Sequence, residues 1–210
     1  MPPSAPIPAV TVAGSALGAD VWKLELDAVP TEALALLSSA ERERGAGFAR
    51  DVERRRFEAA HAALRLVLGA YRDFPPAALD IVRSERGKPS LPGGPTFSIA
   101  RSAGVALLAV HPSSEVGVDI ERLREIAEVA GVAKRLLTAE ERQAWSAAGG
   151  DATAFLRIWT RREAALKALG LSLAPAEGLA AVMERTPVEI DEIVLVPGHA
   201  AAVATLGAAS

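Results

Sequence analysis

The sequence predicts an α+β fold, and three observations carry that expectation. Runs with a period of two, alternating apolar with small or polar residues, occur at 21–26, 96–100, 105–110 and 116–121, with a further apolar run at 200–206. Between them lie stretches with the 3.6 period of an amphipathic helix, the longest from Asp51 to Tyr71. Several strands follow one another through short turns instead of alternating singly with helices, which favours small antiparallel sheets.

Taken in order, residues 1–14 read as a loose tail, rich in proline at its start. Val21 to Leu26 alternates as a strand. Ser38-Ser39-Ala40-Glu41 has the spacing of a capping box that opens a short helix. The helix from Asp51 to Tyr71 places Phe57, Leu64, Leu68 and Tyr71 on one side, and Pro75-Pro76 stops it. Leu79 to Arg83 is expected as a strand, followed by a turn at Ser84-Glu85-Arg86-Gly87. Thr96–Ala100 and Val105–Val110 form a hairpin about Ser102-Ala103-Gly104. His111-Pro112-Ser113-Ser114 is the natural link, which divides the chain into lobes 1–112 and 113–210.

In the second lobe Val116 to Glu121 is a strand and Ile126 to Leu137 a helix. Thr138-Ala139-Glu140-Glu141 is a second capping box, and Gly149-Gly150 stops the helix that it opens. Asp151 caps a further helix running to Gly170. Ile193–Val196, a Pro197-Gly198 turn and Ala200–Leu206 make the end strand-rich. No strong sequence repeat is visible.

Composition narrows the function. The 210 residues include no cysteine, which removes disulfides, thiolate metal sites and cysteine nucleophiles and fits a cytoplasmic protein. The proline-rich start lacks the basic residues of a signal peptide, and no apolar run approaches a membrane span. A net charge of −3 argues against nucleic acid as the partner. The first lobe holds 13 Lys and Arg against 12 Asp and Glu, the second 10 against 14. That division suits an anion site beside a carboxylate site, and it also suits an ordinary solvated surface.

The chemistry-bearing residues fall in two motifs, Val116-Gly117-Val118-Asp119-Ile120-Glu121 and Trp159-Thr160-Arg161-Arg162-Glu163-Ala164-Ala165-Leu166-Lys167. Strand alternation turns Asp119 and Glu121 to one face and Val116, Val118 and Ile120 to the other. Helical spacing places Trp159, Glu163 and Lys167 on one stripe. Three hard carboxylate ligands, Asp119, Glu121 and Glu163, suit Mg²⁺, and a lysine beside them suits a phosphate. Taken singly, Asp119 and Glu121 read as the wet face of an edge strand, and Glu163 with Lys167 as a surface ion pair contributing about 0.2–0.5 kcal/mol. Their occurrence together favours a site. There is no phosphate-binding glycine loop and no Gly-x-Ser-x-Gly elbow.

Gly-Val-Asp-Ile-Glu followed by Trp-Thr-x-(Lys/Arg)-Glu-Ala-x-x-Lys resembles the signature of 4′-phosphopantetheinyl transferases of the surfactin-synthetase-activating type. The likeness extends to Gly87-Lys88-Pro89, to Phe97-Ser98-Ile99-Ala100-Arg101-Ser102, to Arg56 and Arg65 on the long helix, and to Leu171-Ser172-Leu173. It implies two similar lobes packed as a pseudo-dimer with the active site in the cleft, and a monomer in solution. It implies Mg²⁺, coenzyme A as co-substrate, and an apo acyl- or peptidyl-carrier protein whose serine receives the phosphopantetheine arm, with 3′,5′-ADP released. Carried over by residue, Asp119, Glu121 and Glu163 bind the metal. Glu163 takes the serine proton and Lys167 stabilises the pyrophosphate. Arg44, Arg56, Lys88, Arg101, Ser102 and Arg162 hold coenzyme A, with Arg44 and Lys88 at its nucleotide end.

Two positions depart from the family pattern. Its Ser-His-Ser histidine is Arg101 here, preceded by Ala100, and the lysine before its glutamate is Arg162. Both changes keep positive charge, and Arg101 gives up any role as a proton donor near neutral pH. A non-catalytic coenzyme A- or carrier-binding relative, and a Mg²⁺-dependent hydrolase of a nucleotide-containing substrate, are the competing readings.

Overall fold

The computed structural model describes residues 1–171 and 186–207. Its first sheet has the order β1-β2-β6-β5, antiparallel throughout, built from Val10–Ala16 (β1), Ala19–Glu25 (β2), Thr96–Ser102 (β5) and Val105–His111 (β6). A second antiparallel sheet has the order β7-β9-β8, from Val116–Arg122 (β7), Val188–Glu192 (β8) and His199–Leu206 (β9). Val82–Arg83 (β3) and Pro89–Ser90 (β4) make a small separate ladder. The helices are Ser39–Ala46 (α1), Asp51–Arg72 (α2), Val129–Leu136 (α3), Ala139–Ala147 (α4) and Ala152–Ala168 (α5). Among the described residues no helix is long and apolar enough to cross a membrane.

The two sheets share a topology. A strand, two or three helices and two further strands give the order β2-β6-β5 in the first half and β7-β9-β8 in the second. The layers follow from which face each strand buries. Trp22, Leu24 and Leu108 of the first sheet pack against Leu64, Val67 and Leu68 of α2. The opposite face of that sheet, with Val21, Leu107 and Ala109, meets Val116, Val118 and Ile120 of β7. The second sheet's other face, through Ala202 and Ala204, is covered by Ala164, Ala165 and Ala168 of α5. The result is helix, sheet, sheet, helix. Each fully buried Leu or Val in these layers contributes about 1.5–3 kcal/mol relative to an exposed one.

Gly117 shows how close the last contact is. A Cβ there would lie 1.9 Å from the Ala164 carbonyl oxygen and 2.5 Å from the Ala168 nitrogen. Only a glycine lets the α5 backbone settle this near β7.

Both capping boxes form as the sequence predicts. Ser38 and Thr138 accept from the backbone N–H of Glu41 and Glu141, and each glutamate reaches back to its cap residue. The boundaries differ elsewhere. Residues 10–14 belong to β1 and are not tail, because Val10 is fully buried and pairs with Leu24. The strand expected at Leu79–Arg83 shrinks to β3, since the Leu79 carbonyl goes to Arg65. Ile193–Val196 lies outside the ladder, and residues 188–192 take the place beside β9. Ser172 and Leu173, part of the family likeness, lie outside the described residues.

Candidate active site

The site begins with β7. Its alternation sends Val116, Val118 and Ile120 into the inter-sheet core and turns Gly117 onto α5. Asp119 shares the Gly117 face, so its carboxyl group is carried under the helix and is only 7% exposed. Helix α5 is capped by Asp151, whose side chain accepts from Ala154 N–H, and it runs without a breaker past Lys167. The expected stripe of Trp159, Glu163 and Lys167 therefore exists. Lys167 Nζ donates to Asp119 Oδ1 at 2.7 Å and to the Val118 carbonyl at 3.1 Å. The lysine is thus paired across elements instead of with Glu163 one turn back.

This arrangement is short of positive charge. Burial pushes the Asp119 carboxyl up to about 6 despite Lys167, and the charges of Glu163 and Glu121 add to the rise. Burial also raises Glu163, with Lys167 and Arg162 opposing it and Glu121 adding to it. Asp119 Oδ2 and Glu163 Oε1 are buried and have no hydrogen-bond partner. A cation among these oxygens would satisfy both atoms, so the donor set fits a hard metal such as Mg²⁺. The three carboxylates are neighbours without being closed on one point: among the described residues, no three His, Cys, Asp or Glu side chains are gathered as a ready metal site. Glu121 is partly exposed, 3.5 Å from Arg124 Nη1 and 3.4 Å from Ser102 Oγ.

Ser102 ends β5, and its hydroxyl accepts from Arg122 N–H at 2.9 Å, which ties the first sheet to the far end of β7. Ser98, two pleats earlier, does the same for Val118 N–H at 3.1 Å. Arg101 points to the other side of β5. Its guanidinium lies 5.7 Å from the Phe48 ring centroid and 5.4 Å from that of Phe57, and Arg44 lies 5.1 Å from the Phe57 ring. Two arginines thus share one aromatic platform, and neither forms an ion pair among the described residues. Burial lowers the Arg101 pKa, Glu53 opposes that, and Arg44 adds to it. An anion between these guanidinium groups would be bound by charge and by planar hydrogen bonding.

The remaining expected ligands are placed differently. Arg56 makes a bidentate pair with Asp27, at 2.8 and 2.7 Å, beside the β5–β6 turn. Lys88 Nζ sits 2.5 Å from Glu115 Oε2. It shares with Lys167 the lining of a cavity of about 210 Å³ floored by Phe97, Ser98 and Ile99. Arg162, read from the motif as a coenzyme A ligand, is enclosed instead. Its side chain is 4% exposed, 2.6 Å from Glu141 Oε2, and it donates to the Leu136 carbonyl. The first half holds the counterpart: capping-box Glu41 accepts from Arg65 of α2 at 2.7 Å. Arg162 stands against its capping-box glutamate as Arg65 does, but its Nε and Nη2 are buried without a hydrogen-bond partner, whereas Arg65 Nε has one.

Sequence reasoning missed Phe48 and Glu115. Phe57 was visible only as a core residue of α2, and nothing in its spacing marks it as a platform. Both glutamates stood out in the sequence as capping-box residues, but nothing in the spacing pairs Glu41 with Arg65 or Glu141 with Arg162.

Residues 115–194 match the family model of the 4′-phosphopantetheinyl transferase superfamily. The 4′-phosphopantetheinyl transferase HetI of Nostoc sp. is 32% identical over 179 residues, covering 80% of this chain and 75% of that protein. A putative 4′-phosphopantetheinyl transferase of Synechocystis sp. is 32% identical over 142 residues, 65% of this chain and 58% of that protein. A phosphopantetheinyl transferase of Thraustochytrium sp. is 28% identical over 177 residues, 73% of this chain and 62% of that protein. The match to HetI extends over four fifths of this chain, and the chain belongs to the 4′-phosphopantetheinyl transferase family.

Proposed function

We propose that this protein moves the 4′-phosphopantetheine arm of coenzyme A onto a serine of an apo acyl- or peptidyl-carrier protein, as an enzyme of the surfactin-synthetase-activating type. The observation that carries this reading is the pair of buried, unpartnered carboxylate oxygens of Asp119 and Glu163 beside Lys167. Burying two carboxylate oxygens without partners is costly, and a cation bound between them would offset that cost.

In this reading the carrier serine oxygen bonds to the β-phosphorus of coenzyme A. The bond from that phosphorus to the bridging oxygen breaks, and 3′,5′-ADP leaves. Glu163 takes the serine proton, directly or through a water, and its raised pKa brings it nearer to the range of a useful base. Lys167, held by Val118 and Asp119, offers its charge to the pyrophosphate. Asp119, Glu121 and Glu163 would hold Mg²⁺, which when bound neutralises pyrophosphate charge as it moves to the leaving group. Arg44 and Arg101 hold the 3′-phosphate over Phe57, and charge replaces the family histidine at that position. Ser102 fixes the Arg122 end of β7 near Glu121. Arg56 would contribute only by exchanging Asp27 for a phosphate. A monomer acting in the cytoplasm completes the reading.

The test is intact-mass analysis of apo acyl- and peptidyl-carrier proteins after incubation with the protein, Mg²⁺ and coenzyme A. Gain of the phosphopantetheine arm on a carrier, absent with chelator, is the expected result. Free cleavage products without carrier modification, or coenzyme A binding with no turnover on any carrier, would overturn the proposal.

A further inference from the structure

Four segments of the first half meet at Phe57. The residue lies in the second turn of α2 and is only 3% exposed. Arg44 comes from the last turn of α1, Phe48 from the short link between α1 and α2, and Arg101 from the end of β5. The Phe57 ring centroid is 5.1 Å from that of Phe48 and 4.3 Å from the His61 ring. His61 is buried in its turn, with Nδ1 3.2 Å from Glu41 Oε1, so a side chain tied to α1 backs the Phe57 ring. Phe48 is held by its own backbone, since its N–H donates to the Gly45 carbonyl at 3.1 Å.

The two arginines are held by these rings. Arg44 lies 5.1 Å and Arg101 5.4 Å from the Phe57 centroid, and Arg101 is 5.7 Å from that of Phe48. Each distance is within the range where the negative face of a ring attracts a guanidinium. The long helix treats its other arginines differently. Arg56 is paired with Asp27 through two hydrogen bonds, and Arg65 with Glu41. A carboxylate holds a guanidinium more firmly, and it also answers the charge and occupies the N–H donors. A ring face orients the guanidinium plane and leaves the donors open. The nearest acidic influence on Arg101 is Glu53, whose carboxylate is already 3.3 Å from Arg50 Nη2.

We propose that Phe57, assisted by Phe48, is a positioning residue that aims the guanidinium groups of Arg44 and Arg101 at one phosphate while leaving their charge unneutralised. That the phosphate is the 3′-phosphate of coenzyme A rests on the transferase reading. The binding arm of the test needs no carrier turnover.

The experiment compares the parent with Phe57→Leu and Phe48→Leu, which keep apolar bulk and remove a ring, and with Phe48→Tyr, which keeps the ring. Phe48→Leu is also made in an Arg101→Ala background. Affinities for coenzyme A and dephospho-coenzyme A are measured on the folded proteins, with steady-state kinetics of carrier modification. In Phe57→Leu the preference for coenzyme A over dephospho-coenzyme A should fall by about fivefold, because both arginines lose their support. KM for coenzyme A should rise by about the same factor, with kcat within about twofold of the parent. Phe48→Leu should lower the preference by about threefold, and Phe48→Tyr should keep it. In the Arg101→Ala background Phe48→Leu should cost nothing further, since Phe48 acts through Arg101. An undiminished preference in Phe57→Leu would overturn the proposal, as would the same loss from Phe48→Leu with and without Arg101, or a parent that binds both ligands equally. If Phe57→Leu does not fold, the Phe48 series decides. If the parent modifies no carrier, the transferase reading falls while the two affinities still decide the role of the rings.

Discussion

Glu41 and Asp119 are both buried carboxylates next to a long helix, and they are held in opposite ways. Glu41 receives Arg65 Nε at 2.7 Å, Ser38 N–H at 2.8 Å and Ser38 Oγ at 3.0 Å, with His61 Nδ1 at 3.2 Å. Burial alone would raise its pKa, but these partners outweigh burial and bring it down to about 2. Asp119 has Lys167 on one oxygen and nothing on the other, and burial wins, taking it up to about 6. The first is a carboxylate whose charge the fold has fully answered. The second has been left short, beside two more acids. The carboxylate with the complete network belongs to the scaffold, and the one with the deficit is where chemistry is expected.

The largest effect should come from breaking the complete network. Glu41→Ala leaves Arg65 buried without its carboxylate, and stability should fall by about 3–5 kcal/mol in urea unfolding. Asp119→Asn should do the reverse. Unfolding free energy should hold or rise by about 1 kcal/mol, because an uncompensated charge is removed. Carrier modification should fall by on the order of a hundredfold or more, as one metal ligand is lost. Loss of stability without loss of turnover would erase the contrast.

Acid sharpens the comparison. Glu41 has a lowered folded pKa, so its contribution is complete above about 4.5 and is lost as pH falls toward 2. Asp119 has a raised folded pKa, so the folded state holds the extra proton, and stability declines as pH rises from about 4 to about 6. Parent minus Asp119→Asn should show that decline, measured by denaturant unfolding across the range, and a flat difference would contradict the assignment. The smallest effect concerns the arginine platform. Arg101→Ala should weaken coenzyme A by roughly tenfold, and Arg101→Lys should keep part of the affinity, since charge survives without the planar fork. Equal affinity in all three proteins would place Arg101 outside the site.

The sequence carried much of this contrast, unevenly. Both capping boxes and the Asp119, Glu163 and Lys167 placements were legible, because caps and alternation are local rules. The strand at 10–14 was not, since the prolines before it masked the alternation of Val10 and Val12. The engagement of Lys167 with Asp119, of Lys88 with Glu115 and of Arg162 with Glu141 joins residues far apart in the chain, and no spacing rule reports such pairs. Arg162 is the sharpest example. Its place in the motif suggested a phosphate, while the fold sets its side chain against Glu141 of α4.

The central claim is that the unanswered charge of Asp119 and Glu163 exists to take a divalent cation. It is tested most directly by titrating Mg²⁺ into the folded parent and the folded Asp119→Asn and Glu163→Gln variants with coenzyme A present, following thermal unfolding. The parent's midpoint should rise with Mg²⁺ concentration, as binding to the folded state requires, while each variant shows a much smaller rise. An equal Mg²⁺-dependent rise in all three proteins would place the metal elsewhere and contradict the account.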